Sequence, residues 1–351
     1  MNYIDVLDKT VKEYFNLLEP NYPNWLNDYI NTKEMLQQKH ISITCGTIYS
    51  DLFESNFFFS SLDHSIAVAL IVWHFTHDKK QTIAGLLHDI ATPAFKHCVD
   101  YLRGDYMKQE ATEDLTTEII SNSKEIMTLL RRDNIKLNEV DDYHLYTIAD
   151  NDTPQLSADR LEYSLSNALI TYRLMNIDDI KIIYDDICIQ IDEQKKPEIG
   201  FQTEIIAEEF VRVTSKLSLI YREDRTRYSM QFIADILRRL KEDGLITLES
   251  LYYLKEEDVI KIIEQSKYAD IFNKWKTARR ILSSTSKPFT EYYIHMPAKV
   301  RYINPLLNGV RISEKNHEAF NLIKTNLSYD MNNYVYLEDI FQSSFVKKPC
   351  K

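Results

Sequence analysis

At 351 residues the chain is long enough for one large domain with an appendage, or for two domains. Only 6 Gly and 9 Pro occur, which argues against a loop-rich all-β fold, and 44% hydrophobic residues promise a sizeable core. A formal charge of -11 excludes non-specific attraction to nucleic acid or to an anionic membrane as the main activity, but leaves room for a small anionic substrate where basic residues converge. Cys45, Cys98, Cys188 and Cys350 are far apart and form no CxxC pair, so neither a zinc ribbon nor a redox motif is expected. With no signal peptide at the start they read as reduced thiols, and the expected location is cytoplasmic. No apolar run reaches the roughly 20 residues of a membrane span, so no membrane partner is expected.

Residues 1–39 mix an amphipathic start (Ile4, Val6, Leu7, Val11, Tyr14, Phe15, Leu18) with a break at Pro20 to Trp25 and a second short helix, a segment expected to pack on the core. His40 to Phe59 is rich in β-branched and aromatic residues and reads as extended or irregular. Ser60 and Ser61 offer N-caps for a helix to about His77, with His64 in its first turn. The next helix, about Lys79 to Ile90, is apolar on most sides and is expected to be central; Pro93 ends it. A short helix around Phe95 to Leu102 precedes a polar link and a long helix from about Glu110 to Arg132. Asp141 to Asp150 reads as a helical turn or two, and Pro154 opens a helix carrying Asp159 near its N-terminal end.

The charged stretches Ile177 to Asp186 and Asp192 to Glu198 read as surface connections. Helices are expected around Thr203 to Tyr221, Arg227 to Lys241 and Asp258 to Ile281. After Pro288 the texture changes: Tyr292 to Met296, Val300 to Ile303, Val310 to Ile312 and Tyr334 to Tyr336 have strand character. The organisation implied is an N-terminal helical segment (1–39), a helical domain (40–284) and a small α+β C-terminal region (285–351).

Chemistry concentrates in His64 at a helix start, His88 and Asp89 at a helix end, and Asp159 at another helix start. One helix running out from His64 and the next returning to His88 would set the two imidazoles side by side. Two imidazoles and two carboxylates suit one divalent transition metal (Mn, Fe, Co, Ni or Zn) better than all-oxygen shells do, with Mg also admitted. The plain alternatives are a buried, backbone-bonded His64, a helix-end His88, and an Asp159 favoured by the helix dipole. His77 and Asp78, an adjacent pair of the same kind, sit beside Lys79 and Lys80 and read as solvated surface.

The segments Leu62 to Ser65, Ala84 to Ile90 and Ser157 to Tyr163 make the chain resemble the HD superfamily of metal-dependent phosphohydrolases. Its pattern is a histidine, a His-Asp pair and a distant aspartate, and the nearest branch is that of the deoxynucleoside triphosphate triphosphohydrolases. The resemblance spans about His40 to Tyr228. It implies a mainly α fold, an HD helical bundle with the α+β appendage, and makes His64, His88, Asp89 and Asp159 the metal ligands. It places His97 and Asp100 near the reacting phosphate and Glu110 where the branch has a His-Glu pair for proton transfer. Arg160 and Tyr163 then face phosphate or sugar, and Arg222, Arg225, Arg227 and Tyr228 fall where related proteins set basic and aromatic residues over the substrate.

That cluster reads equally as a charged face neutralised by Glu223 and Asp224. The remaining histidines, including His40, His74, His144, His295 and His317, show no ligand spacing. Departures from the branch are Thr92, Gln109 and Ser61, where histidine, histidine and arginine are usual. The function implied is hydrolysis of a dNTP or related nucleoside phosphate by in-line attack of an activated water on phosphorus, with His97 as the acid or base. The alternatives are a catalytically reduced sensor that binds metal and nucleotide, and a 5'-nucleotidase or cyclic-nucleotide phosphodiesterase. The partner expected is a small phosphorylated molecule, with no sequence-specific nucleic acid; a homo-oligomer is compatible with the resemblance.

Overall fold

The computed structural model describes residues 2–54, 57–107, 111, 113 and 115–338. The chain is mainly α with a small α+β part at its C-terminal end. Helices α1 (Lys9–Leu18) and α3 (Lys33–Gln37) pack on the central helix α4 (Ser61–Thr76), with α2 (Leu26–Ile30) between them in the chain. Ser60 caps α4: its Oγ accepts from the Asp63 N–H at 3.1 Å, while the Asp63 carboxylate accepts from the Ser60 N–H at 2.9 Å. This reciprocal box fixes the start of the helix, and so the direction in which His64 leaves its first turn. From Ser61 to Val72 every residue of α4 is buried, which is why the helix is apolar on all sides from Ile66 to Val72.

Helix α5 (Lys79–Leu87) returns antiparallel to α4. Asp78 caps it by accepting from Lys80 N–H at 2.8 Å, and His77 is exposed at the end of α4. Gly85 lets the two helices approach closely, because a Cβ there would stand 3.3 Å from Val72 and 3.4 Å from Val68. Helix α6 (Cys98–Arg103) follows the turn after Pro93. The long helix expected to reach Arg132 is broken into α7 (Thr116–Asn122) and α8 (Lys124–Arg132). Ser123 is extended between them and caps α8 by accepting from Ile126 N–H, the local bond that makes serine a poor helix interior.

Helix α9 (Ala158–Ser166) carries Asp159 and ends in a wider turn, Asn167–Thr171. The two charged stretches read as connections form helix α10 (Ile177–Asp185) and a hairpin of β1 (Ile187–Ile191) and β2 (Pro197–Phe201). Asp192 builds the hairpin turn by accepting from the N–H groups of Gln194 and Lys196, so its charge marks a turn rather than a surface link. Helices α11 (Glu204–Ile220), α12 (Asp224–Glu242), α13 (Glu256–Glu264) and α14 (Ala269–Lys276) follow.

The C-terminal part returns to the body twice. Strand β3 (Ile281–Ser284) is followed by β4 (Leu306–Leu307), β5 (Val310–Arg311), α15 (Ile312–Lys315), α16 (His317–Leu327) and β6 (Tyr334–Leu337). β4 adds parallel to β2 in a sheet ordered β1-β2-β4-β5, and β6 pairs antiparallel with β3. Tyr292 to Met296 and Val300 to Ile303, expected as strands, are irregular apart from one bridge, Ile294 to Val335. Their carbonyls are satisfied by helix side chains instead: Arg227 donates to Met296 at 2.6 Å and the Ser218 hydroxyl to Arg301.

Two apolar cores result. The first gathers α1, α4, α5, α9 and α11 with Ile312, Ala319 and Ile323; the second gathers α6, α12, α13 and α14 with Tyr292, Ile294, Val335 and Leu337. Cys45, Cys98 and Cys188 are free thiols. Among the described residues, no helix is long and apolar enough to cross a membrane.

Candidate metal centre and its cavity

The ends of three helices meet where the two cores adjoin. His64 Nε2 lies 3.2 Å from His88 Nε2 and 3.1 Å from Asp159 Oδ1; His88 Nε2 is 3.7 Å from the same oxygen. Asp89 Oδ2 stands 4.0 Å from His64 Nε2 and 3.8 Å from His88 Nε2. The other ring nitrogens are engaged from behind. His88 Nδ1 donates to the Gly85 carbonyl at 2.7 Å, and His64 Nδ1 meets the buried carboxylate of Glu162. With Nδ1 carrying the proton in each ring, both Nε2 lone pairs point at one spot beside two carboxylates. Acceptors facing one another need a positive charge between them, and His64, His88 and Asp89 could together hold a metal ion.

The surrounding carboxylates favour positive charge at this spot, and a proton can supply it: burial alone would pull His64 down, but Glu162 and Asp159 outweigh it and push its pKa up to about 10, so a metal would have to displace a proton from Nε2. Burial would raise Asp89, yet Lys96 and the two histidines hold it well below the usual carboxylate range; His64 does the same for Asp159. The carboxylates are thus ionised and ready to take a cation.

The centre opens into a cavity of about 490 Å³, within the roughly 300–1,000 Å³ typical of small-molecule sites. Its lining includes His64, His88, Asp89 and Asp159 together with His97, Arg160 and Tyr163. His97 Nδ1 pairs with Asp100 Oδ2 at 3.0 Å, and the other carboxylate oxygen of buried Asp100 accepts from the Ala111 N–H at 2.9 Å. Arg160 borders the cavity with its guanidinium engaged, donating to Asn151 Oδ1 at 2.6 Å and pairing with Asp150 at 3.1 Å.

Arg222, Arg225, Arg227 and Tyr228, expected over the substrate, do not line the cavity. Arg222 is buried against the Ser218 and Asn326 carbonyls, and Arg227 binds the Met296 and Met331 carbonyls and Asp224. Arg225 is held by Glu223 and the Leu52 carbonyl, and Tyr228 stacks on Phe232 in the second core. These guanidinium groups stitch the chain together rather than facing the cavity. Glu110 lies outside the described residues, as does Gln109. Thr92 is buried and is not part of the lining.

Several lining residues carry no local sequence signal. Lys96 donates to Asp89 Oδ2 at 2.7 Å and to Ser61 Oγ at 3.1 Å. Glu113 is pushed up to about 7, chiefly by burial, and accepts from the Tyr143 hydroxyl at 3.4 Å. Tyr143 in turn lies with its ring 4.9 Å from that of His88. His144 pairs with Asp142 at 2.9 Å and Asp150 at 3.3 Å. Arg301, from the irregular C-terminal segment, sits with its guanidinium carbon 5.8 Å from the centre of the Tyr163 ring. Only the fold brings these residues to the cavity.

No family model matches the chain. The uncharacterized protein YdhJ of Bacillus subtilis (strain 168) is 24% identical over 245 residues, 69% of this chain and 72% of the relative. Among solved structures, a phosphohydrolase of Bacteroides thetaiotaomicron VPI-5482 aligns with a TM-score of 0.59 at 12% identity, covering 90% of this chain and 96% of that one. A hypothetical protein of Aquifex aeolicus aligns with a TM-score of 0.55 at 14% identity, covering 90% and 93%. The two structural likenesses, nearly end to end, establish a shared fold. Fold and donor set together define a mainly helical protein with a His/Asp centre at the floor of a cavity.

Proposed function

We propose that this chain is an HD-type metal-dependent phosphohydrolase acting on a nucleotide, with His64, His88, Asp89 and Asp159 as the ligands. The observation that carries the reading is the convergence of both Nε2 atoms and two ionised carboxylates beside the His97–Asp100 pair in one cavity. The phosphohydrolase name of a structural neighbour supports it. A cation held there supplies Lewis acidity, polarising the phosphoryl group and easing deprotonation of water.

The chain's own residues do the rest. Asp100 holds His97 by Nδ1, leaving Nε2 for the cavity. Burial lowers the His97 pKa against the pull of Asp100, so the ring is neutral near pH 7 and suited to take a proton from the attacking water. Tyr101, Tyr163, Tyr172 and Tyr221 give the cavity an aromatic wall, which suits a nucleobase.

The test is metal analysis of the purified protein, followed by a nucleotide panel with Mn, Co, Ni or Mg. Asp159→Ala should lose the metal and the hydrolysis together. Absence of metal from the wild type, with the same metal affinity in Asp159→Ala, overturns the assignment. Orthophosphate as product points to a nucleotidase, and nucleoside with tripolyphosphate to the triphosphohydrolase branch. A second reading, a sensor that binds metal and nucleotide without turnover, draws on the burial of Thr92 away from the cavity. It gains if the loaded protein binds nucleotides and hydrolyses none.

A further inference from the structure

We propose that Glu256 is a positioning residue for the candidate site: its buried carboxylate clamps the turn that delivers Lys96 and His97 to the cavity, and with it the segment 44–49 that forms another part of the wall. Glu256 does not border the cavity itself, so it acts through these neighbours. What the clamp serves rests on the phosphohydrolase reading; the clamp itself is testable without it.

The turn after Pro93 is a conformation that a chain does not hold unaided. Phe95 has φ 65° and Lys96 φ 44°, two successive left-handed residues with no glycine, and such strain persists only where the surroundings over-determine it. The restraint comes from residues 251 to 256. Ala94 N–H donates to the Leu251 carbonyl at 2.8 Å, and Phe95 N–H donates to Glu256 Oε1 at 3.2 Å. The Phe95 ring lies against Gly46, where a Cβ would come within 2.6 Å of it. Just beyond, the Lys96 ammonium reaches Asp89 Oδ2, and Lys96 and His97 both line the cavity. Without its acceptor the left-handed pair is free to relax, and both side chains move with the backbone.

The second carboxylate oxygen holds a different segment. Glu256 Oε2 accepts from the Tyr49 hydroxyl at 2.8 Å, and Thr44, Cys45 and Thr47, just before Tyr49, line the cavity. The plain alternative is an acidic residue in the first turn of α13, favoured there by the helix dipole. Glu257 and Asp258 share that turn and keep contact with water, whereas Glu256 is fully buried. Burial pushes the Glu256 pKa up to about 7, against the pull of the Tyr49, Ser42 and Phe95 donors. The dipole does not call for that desolvation; the bonds to Phe95 and Tyr49 account for it.

The test is amide hydrogen exchange of the full chain, read at Lys96 and Cys98, whose N–H groups close the turn on the Pro93 and Phe95 carbonyls at 2.9 Å and 3.0 Å. Glu256→Met fills similar space and offers no acceptor, whereas Glu256→Gln keeps one. Ile263→Val, buried and two turns further along α13, controls for general loosening of that helix. Glu256→Met should speed exchange at both amides at least about tenfold, the scale of one hydrogen bond to a charged group. Glu256→Gln and Ile263→Val should stay near the wild type. In the manganese-loaded protein with dATP as substrate, Glu256→Met should lower kcat by about ten- to a hundredfold with KM little changed, and Glu256→Gln should restore most of it. Exchange in Glu256→Met no faster than in Ile263→Val overturns the clamp, whatever the activity. Faster exchange with a wild-type kcat overturns the positioning role. If Glu256→Met fails to fold, Tyr49→Phe decides: faster exchange at Lys96 and Cys98 supports the clamp, and wild-type exchange overturns it. A wild type that leaves dATP intact counts against the triphosphohydrolase branch, and the exchange rates alone then decide the clamp.

Discussion

His97 is the side chain whose chemical task the geometry constrains most closely. One ring nitrogen is fixed by Asp100, itself fixed by the Ala111 N–H, so the imidazole has a set orientation at the cavity wall. If His97 is the base of the proposed hydrolysis, its removal costs about a hundredfold or more in rate. His97→Gln should therefore lower kcat by at least that factor while metal content, measured alongside, stays at the wild-type value. The sign of the pH dependence follows from burial. Because the His97 pKa lies below 6.5, the neutral, proton-accepting form persists under mildly acidic conditions, and the rising limb of rate against pH should lie below 6.5. Asp100→Asn removes the partner that raises that pKa, and should move the limb lower still in a pH–rate profile.

The same scale shows what the sequence makes legible. His64, His88, Asp89 and Asp159 sit at helix ends flanked by caps and apolar runs, signals local enough to be read one after another. Lys96 and Arg301 have no such flanks, and their places in the cavity come from tertiary contacts alone. The arginines between Arg222 and Arg227 fail in the opposite direction. Their composition is that of a charged face, and only the carbonyls supplied by residues 296, 326 and 331 reveal that Arg222 and Arg227 are buried struts.

Among the elements, the β1–β2 hairpin is the one that charge disguised. Its alternating Ile187, Ile189 and Ile191 are short, and the acidic residues that follow belong to the turn and to one ion-pair group. Arg311, at the end of β5, reaches Glu198 at 2.7 Å and 2.8 Å and Glu193 at 2.6 Å and 2.7 Å, tying the C-terminal strands to the hairpin. Glu198 is fully buried, so Arg311→Met strands a carboxylate out of water, at a cost of about 3 kcal/mol or more. Urea unfolding at pH 7 should show that loss. Burial already raises Glu198 even against Arg311, and without the arginine it rises further. A group raised in the folded state stabilises at low pH, so the variant should regain part of its deficit as pH falls towards 5. Arg311→Met combined with Glu198→Gln should be more stable than Arg311→Met alone, because no charge is left stranded.

For the molecule as a whole, the placement of the proposed centre would couple cation binding to folding. α4, α5 and α9 belong to the first core, the turn bearing Lys96 and His97 leads into the second, and the cavity lies where both contribute walls. A ligand that binds only this assembled arrangement stabilises it by mass action, by about 2.7 kcal/mol at a hundredfold excess over its Kd. Manganese or cobalt should therefore raise the melting temperature of the wild type, EDTA should reverse the rise, and His64→Ala should show no rise. Glu162→Gln separates the ligand from its support. Glu162 holds His64 from behind without contributing to the donor set, so its loss should leave binding intact but shift the metal concentration for half the thermal effect upward by about 10–100-fold. An unchanged midpoint concentration in Glu162→Gln would mean that the orientation of His64 does not depend on that carboxylate, and that the centre is held by α4 and its Ser60 cap alone.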